Sequence, residues 1–258
     1  MSPVEPRERS PIVFIPGLAG SALEAKLDRT DAPAWWCSRK TNGYKRVWFS
    51  FSEASKPSCL LDQLALFYDE STGRYRNHDG IEIRAVDFGG LEGIDALHPG
   101  LPRLTPMFSK LTQAFKDEGY QERRHLFGAP YDFRLAPDGL EQEGYFADLA
   151  ELIEGAVASN GGRPATIVAH SLGCLVSLYF IARRSRQWLQ KHISGLVAIS
   201  GPWGGAVSSL KGSISGDSFD VPVIPHNIFR PLQSSAPSGP WMFPAPDMWR
   251  DEASPHLP

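Results

Sequence analysis

Apolar residues fall along this chain in short unbroken runs that alternate with sets at helical spacing. Pro11-Ile-Val-Phe-Ile15 is apolar throughout and bounded by prolines, the pattern of a buried strand. Ile81-Glu-Ile-Arg-Ala-Val86 alternates with period two and predicts a second strand. Phe108, Leu111 and Phe115 recur at helical spacing within residues 104–119, and Gly119 predicts where that helix stops. Arg123 to Phe127 reads as a strand, and Tyr145 to Val157 as an amphipathic helix ended by Asn160-Gly-Gly162. An apolar run follows from Thr166, then a helix to about Arg184, then a strand from Ile193 to Ile199. Strands that alternate with helices of this length predict a mostly parallel α/β sheet.

Two stretches break the pattern. Residues 33–68 crowd Trp35, Trp36, Trp48, Phe49, Phe51, Phe67 and Tyr68 into a segment without clean periodicity, which predicts a flap rather than a core layer. Cys37 and Cys59 bracket its middle; they either bridge the base of this loop or remain two free buried thiols. Residues 208–239 are rich in Ser, Gly and Pro, and nothing periodic follows, so 206–258 is expected to be irregular. At 258 residues the whole reads as a single domain.

The candidate chemistry sits in Ala169-His-Ser171-Leu-Gly173, between the apolar run and the helix. A serine flanked two residues either side by nearly side-chain-free positions fits a strand–elbow–helix nucleophile turn, with Ala169 in the first glycine slot. The amide of Leu172 then lies at a helix N-terminus, where developing negative charge is favoured. The plainer alternative is a serine that caps a helix. Pro16-Gly-Leu-Ala-Gly20 follows the first strand and either supplies a second oxyanion donor, the Leu18 amide, or is a simple turn. His170 is expected to pack, because adjacent elbow residues point apart, and Cys174 to be a small buried residue.

Composition narrows the classes. Hydrophobic content of 42% and charged content of 21% are ordinary for a globular protein. A net charge of −3 gives no electrostatic case for a nucleic-acid partner. No run approaches the roughly 18 apolar residues of a membrane span, and the polar first ten residues lack the apolar stretch of a signal peptide. Three cysteines are too few for a disulfide framework.

Several motifs in order give the chain a family likeness: Ile-Pro-Gly-Leu-Ala-Gly-Ser (15–21) continuing to Asp28, Cys-Ser-Arg-Lys-Thr (37–41) with Val-Trp-Phe (47–49), Gly-Ala-Pro-Tyr-Asp-Phe-Arg (128–134), Ala-His-Ser-Leu-Gly (169–173), Gly-Pro-Trp-Gly-Gly (201–205), Ser-Gly-Asp (215–217) and Pro-Trp-Met-Phe-Pro (240–244). It resembles the lecithin:cholesterol acyltransferase and lysosomal phospholipase A2 family, most of all its plant and algal acyltransferase-like members. The resemblance implies an α/β-hydrolase fold with a lid and membrane-binding excursion. It implies Ser171 as a nucleophile taking an acyl group from a phospholipid, backbone amides of Leu18 and Leu172 as oxyanion donors, and Trp48 near the acyl chain. It also implies a Cys37–Cys59 disulfide, peripheral membrane contact, and a sterol, another alcohol or water as acyl acceptor. No metal or organic cofactor is implied. An oxidising compartment follows from the disulfide, and the family suggests the secretory pathway, a vacuole or lysosome, or the extracellular space.

One departure matters. The family's Asp and His of the triad come from a further C-terminal portion, and no position here matches them, so the expectation is a truncated chain whose sheet lacks its C-terminal part. After Ser171 the histidines are His192, His226 and His256; Asp217 with His226, or Asp247 with His256, are the substitutes open to it. The expected function is therefore a lipid O-acyltransferase or phospholipase A. The alternatives are a catalytically silent lipid-binding paralogue and, third, an ordinary soluble esterase, which the aromatic lid disfavours.

Overall fold

The computed structural model of the chain describes residues 9–98, 100, 105–218 and 226–248. The first strand is β1 (Ile12–Ile15). The chain then runs outward through β2 (Leu23–Leu27), β3 (Lys45–Trp48), α1 (Phe51–Ala54), α2 (Pro57–Leu64), β4 (Phe67–Asp69), β5 (Arg74–Arg76) and β6 (Ile81–Ala85). It returns through α3 (Glu92–Asp95) and α4 (Ser109–Asp117) to β7 (Leu126–Gly128), then through α5 (Pro137–Gln142) and α6 (Tyr145–Ser159) to β8 (Ala165–His170). Helices α7 (Leu172–Ala182) and α8 (Arg186–His192) lead to β9 (Ile193–Ile199), and α9 (Val207–Ser215), α10 (Arg230–Ser235) and α11 (Ser238–Trp241) follow.

Four strands make a wholly parallel sheet in the order β7-β1-β8-β9. β1 lies inside it and is buried on both faces, which is why its sequence is apolar without alternation. Val13 and Ile15 face the larger core with Leu149 and Ile153 of α6 and Val176 and Phe180 of α7. Ile12 and Phe14 face a smaller core with Leu91, Ile94 and Phe108, the Phe14 and Phe108 rings 5.3 Å apart. β7 and β9 are the edges among the described strands, and Val197 on β9 is half exposed. A parallel sheet flanked by helices, with the turn after β8 at its carboxyl end, is the α/β-hydrolase arrangement.

The structure departs from the sequence expectations in three places. The stretch expected at 81–86 does form a strand, Ile81–Ala85, but it joins an antiparallel sheet, β3-β2-β6, apart from the parallel one. The segment 33–68 is more ordered than a flap: it contributes β3, α1 and α2, and Trp48 and Phe49 are buried in the main core. Among the described residues after β9, Val207–Ser215, His226–Phe229, Arg230–Ser235 and Ser238–Trp241 are helical rather than irregular; residues 219–225 and 249–258 lie outside the described residues.

Cys37 and Cys59 are joined by a disulfide with their Cα atoms 5.4 Å apart, across a sequence separation of 22. It ties the loop carrying Trp35 and Trp36 to α2, and Cys174 is left as a free, buried thiol. Closing a loop of this length is worth about 3 kcal/mol in the chain-entropy picture. Replacing Cys37 and Cys59 together by serine is expected to lower the melting temperature by roughly 6–12 °C, measured by calorimetry. An unchanged melting temperature would mean that the loop is held by packing alone.

Candidate active site

Ser171 stands between the end of β8 and the first residue of α7, with φ 49° and ψ −123°. A helix-capping serine has extended backbone and accepts a hydrogen bond from the first turn. Ser171 does neither: its φ is positive and its side chain makes no capping bond. A non-glycine residue held there stores strain that its surroundings must enforce. They do so through contacts on both sides. The Ser171 amide donates to the Ile199 carbonyl of β9 at 2.9 Å, and the Ser171 carbonyl accepts from the Cys174 amide at 2.9 Å.

Two glycines permit the close approaches around it. A Cβ on Gly173 would lie 2.4 Å from the carbonyl oxygens of both Ile15 and Pro16, so the start of α7 rests directly on the end of β1. A Cβ on Gly17 would lie 2.9 Å from the Ser171 Cβ and 3.0 Å from His170 Nδ1, so the turn after β1 passes over the serine. Leu172 is the first residue of α7 and is buried; Leu18 lies on the turn.

That turn is pinned from below by hydrogen bonds that the sequence did not reveal. The Tyr131 hydroxyl donates to the Pro16 carbonyl at 2.9 Å, and the Tyr131 amide donates to Ser21 Oγ at 3.1 Å. The Trp48 indole N–H donates to the Ala19 carbonyl at 2.9 Å. Burial pushes the Tyr131 phenol well above its ordinary pKa, so it remains a donor at any working pH. Tyr131 is held in turn by its own segment. Asp132 receives Arg134 Nε at 2.8 Å in a buried ion pair, and Arg134 Nη1 donates to the Leu64 carbonyl of α2 at 3.0 Å.

Ser171 and Leu18 open on a cavity of about 800 Å³. Trp48, Phe49, Phe51 and Phe133 form one part of its wall, with Trp48 packed 5.7 Å from Phe49 and 5.6 Å from Phe133. Residues from α9, α10 and α11 form another part, so the segment after β9 helps enclose the site.

The titratable candidates are placed as follows. His170 packs edge-on to Phe108, and burial lowers its pKa, so it is a neutral packing residue at neutral pH. Burial pushes the Cys174 thiol up, which leaves it a poor nucleophile. His192 is buried at the end of α8, where its Nδ1 is 3.0 Å from the Trp188 carbonyl. Asp217 lies on the cavity wall and pairs with Lys211 at 3.2 Å. Asp247 is exposed on the turn Pro246–Met248. The His226 side chain and all of His256 lie outside the described residues. Among the described residues, none is hydrogen-bonded to Ser171 Oγ. No group of three His, Cys, Asp or Glu that could hold a metal ion occurs among them either.

Comparison with known proteins agrees with this architecture. Residues 44–256 match the family model described as Lecithin:cholesterol acyltransferase. The chain is 33% identical over 244 residues to phosphatidylcholine-sterol acyltransferase of Mus musculus, covering 94% of this chain and 55% of the relative. It is 35% identical over 247 residues to lysosomal phospholipase A and acyltransferase of Canis lupus familiaris, covering 95% and 60%. It is 32% identical over 264 residues to lecithin-cholesterol acyltransferase-like 1 of Arabidopsis thaliana, again covering 95% and 60%. The chain thus spans little more than half the length of these relatives. With the family model matched over most of its length, the chain belongs to the lecithin:cholesterol acyltransferase family.

Proposed function

We propose that this chain carries the nucleophile and oxyanion elements of a lipid O-acyltransferase or phospholipase A acting on glycerophospholipid esters. The observation that carries the reading is Ser171 held at positive φ, uncapped, at the mouth of a large cavity with an aromatic wall. Ser171 Oγ attacks the ester carbonyl. The amides of Leu18 and Leu172 hold the oxyanion, the bond to the glycerol oxygen breaks, and that oxygen leaves with a proton. The acyl group on Ser171 then passes to a sterol, another alcohol or water. Trp48 lies against the acyl chain while its indole holds the oxyanion turn, which couples lipid contact to the geometry of the turn. The 258 residues act as one domain, with the exposed loop that carries Trp35 and Trp36 as the membrane-facing part of the 33–68 excursion.

Catalytic silence is favoured by a specific observation: no described residue is hydrogen-bonded to the Ser171 hydroxyl to take its proton. Incubation with phosphatidylcholine vesicles carrying a radiolabelled acyl chain separates the two readings. Turnover releases labelled fatty acid or ester, and Ser171→Ala brings release to background. Lipid uptake without release favours the silent reading, and equal release by Ser171→Ala overturns the assignment of Ser171.

The excursion carries a membrane contact. Trp35 is 86% exposed and Trp36 51%, with their rings 5.5 Å apart on the loop held by the disulfide. Among the described residues no helix is long and apolar enough to cross a membrane, so contact there would be interfacial. Each indole that enters the interface contributes on the order of 1.5 kcal/mol. Trp35→Ser with Trp36→Ser is therefore expected to lower vesicle partitioning at least tenfold in co-sedimentation. Unchanged partitioning would place the membrane contact elsewhere.

A further inference from the structure

Three carbonyls of the turn after β1 are taken, and the Leu18 amide among them is not. The Tyr131 hydroxyl holds the Pro16 carbonyl at 2.9 Å, the Gly20 amide holds the Gly17 carbonyl at 3.0 Å, and the Trp48 indole holds the Ala19 carbonyl at 2.9 Å. Ala19 is kept at φ 57°, a region that residues with a Cβ rarely enter. The Leu18 amide has no hydrogen-bond partner among the described residues, and Leu18 lines the cavity with Ser171. An unspent donor on a fixed turn is what an oxyanion site requires.

One residue fastens both ends of this turn. Tyr131 gives its hydroxyl to Pro16 at the start, and its backbone amide to Ser21 Oγ at 3.1 Å at the finish. Tyr131 and Ser21 are both buried, so cutting either bond leaves a polar group bare. Packing alone does not call for the hydroxyl. The Tyr131 ring lies 5.4 Å from the Tyr145 ring, a contact that phenylalanine would also make. Tyr145 supplies the contrast. It too is buried, but its hydroxyl donates at 3.0 Å to the Ala129 carbonyl, just past β7 and not on the turn.

We propose that Tyr131 is a positioning residue for the chemical step: its two bonds hold the Leu18 amide where the oxyanion forms. It does not line the cavity, so it acts on the geometry of the reaction and not on lipid contact. This rests on the Ser171 reading and adds to it the residue on which the oxyanion geometry depends. Without the hydroxyl the ring keeps its packing while the aim of the amide relaxes, so reaction slows and binding stays.

The test compares Tyr131→Phe with Tyr145→Phe in the full chain, by the rate at which an alkyl fluorophosphonate labels Ser171 over a range of concentrations. In that reaction Ser171 Oγ bonds to phosphorus, fluoride leaves, the serine proton passes to solvent, and the phosphoryl oxygen takes the oxyanion's place. The saturating rate is expected to fall about tenfold in Tyr131→Phe, part of the roughly 10²–10³ lost when such a donor is removed outright, with the half-saturating concentration unchanged. Tyr145→Phe is expected to label at the parent's rate. Both should melt about 2–4 °C lower, since each loses one buried hydrogen bond. Ser21→Ala, which releases the other end of the turn, is expected to slow labelling as Tyr131→Phe does. Parent-like labelling by Tyr131→Phe overturns the proposal, and so does equal slowing in both tyrosine variants, which would mark a general loss of packing. If Tyr131→Phe does not fold, Ser21→Ala carries the comparison with Tyr145→Phe. A parent chain that forms no adduct on Ser171 removes the nucleophile reading and this assignment with it, an outcome separate from any difference among the variants.

Discussion

Gly173→Ala is expected to destabilise the fold by roughly 2–3 kcal/mol and to disable Ser171 at the same time. Alanine is ordinarily the better helix residue, by up to about 1 kcal/mol, and Gly173 is the second residue of α7. The gain is overwhelmed by contact: the new Cβ would lie 2.4 Å from two carbonyl oxygens at the end of β1, and both are backbone atoms that no rotamer change can move. Either α7 lifts from β1 or β1 shifts, and each displaces Ser171 from the turn above it. A fall of roughly 5–10 °C in melting temperature is expected by calorimetry. Gly155→Ala is the matched control. Gly155 lies within α6 with nothing inside 4 Å of a built Cβ, so the same change there should raise stability. A Gly173→Ala protein as stable as the parent would mean that α7 does not rest on β1 in this way.

The elbow and the parallel sheet were legible in the sequence because their signals are local. Ala169 and Gly173 mark the turn through the small size it demands, and the run Ile12–Ile15 marks a strand buried on both faces. The supports of the site were not legible. Tyr131 reaches the Pro16 carbonyl across 115 residues, and no local pattern announces such a bond. Trp48 could be matched to a family position, but its bond to the Ala19 carbonyl is a product of the tertiary fold. The strand β2 was present as the alternation Leu23-Glu-Ala-Lys-Leu27, with Leu23, Ala25 and Leu27 buried; reading it only as the tail of a glycine-rich motif conceals it. Helices α9 to α11 escaped for a different reason. They span nine, six and four residues and are held by side-chain to main-chain bonds from Ser209 and Gln233, so no broad apolar stripe is needed.

The cavity therefore joins distant stretches of chain. The turn after β1 supplies Leu18 and Ala19, the excursion supplies Trp48 and Phe49, and the helices after β9 supply Ser208, Ser209 and Gln233. A change in any of them should act on the same site. Trp48 links two of these, since it lines the cavity, packs against Phe133 and Phe229, and fixes the turn through Ala19.

The central claim is that Ser171 is the residue that accepts an acyl group, and covalent labelling tests it most directly. A fluorophosphonate probe reacts with a serine whose turn and oxyanion donors are in place, and peptide mass spectrometry reports where it attaches. With no described residue hydrogen-bonded to its hydroxyl, Ser171 is expected to react at the slow rate of a serine hydrolase without its base, a residual of about 10³–10⁴ over water. The expected result is a single slow adduct on Ser171 that is absent from Ser171→Ala. Rapid labelling of Ser171 would point to a base outside the described residues and make His226 and His256 the first residues to replace. An adduct on another residue, undiminished in Ser171→Ala, would contradict the central claim.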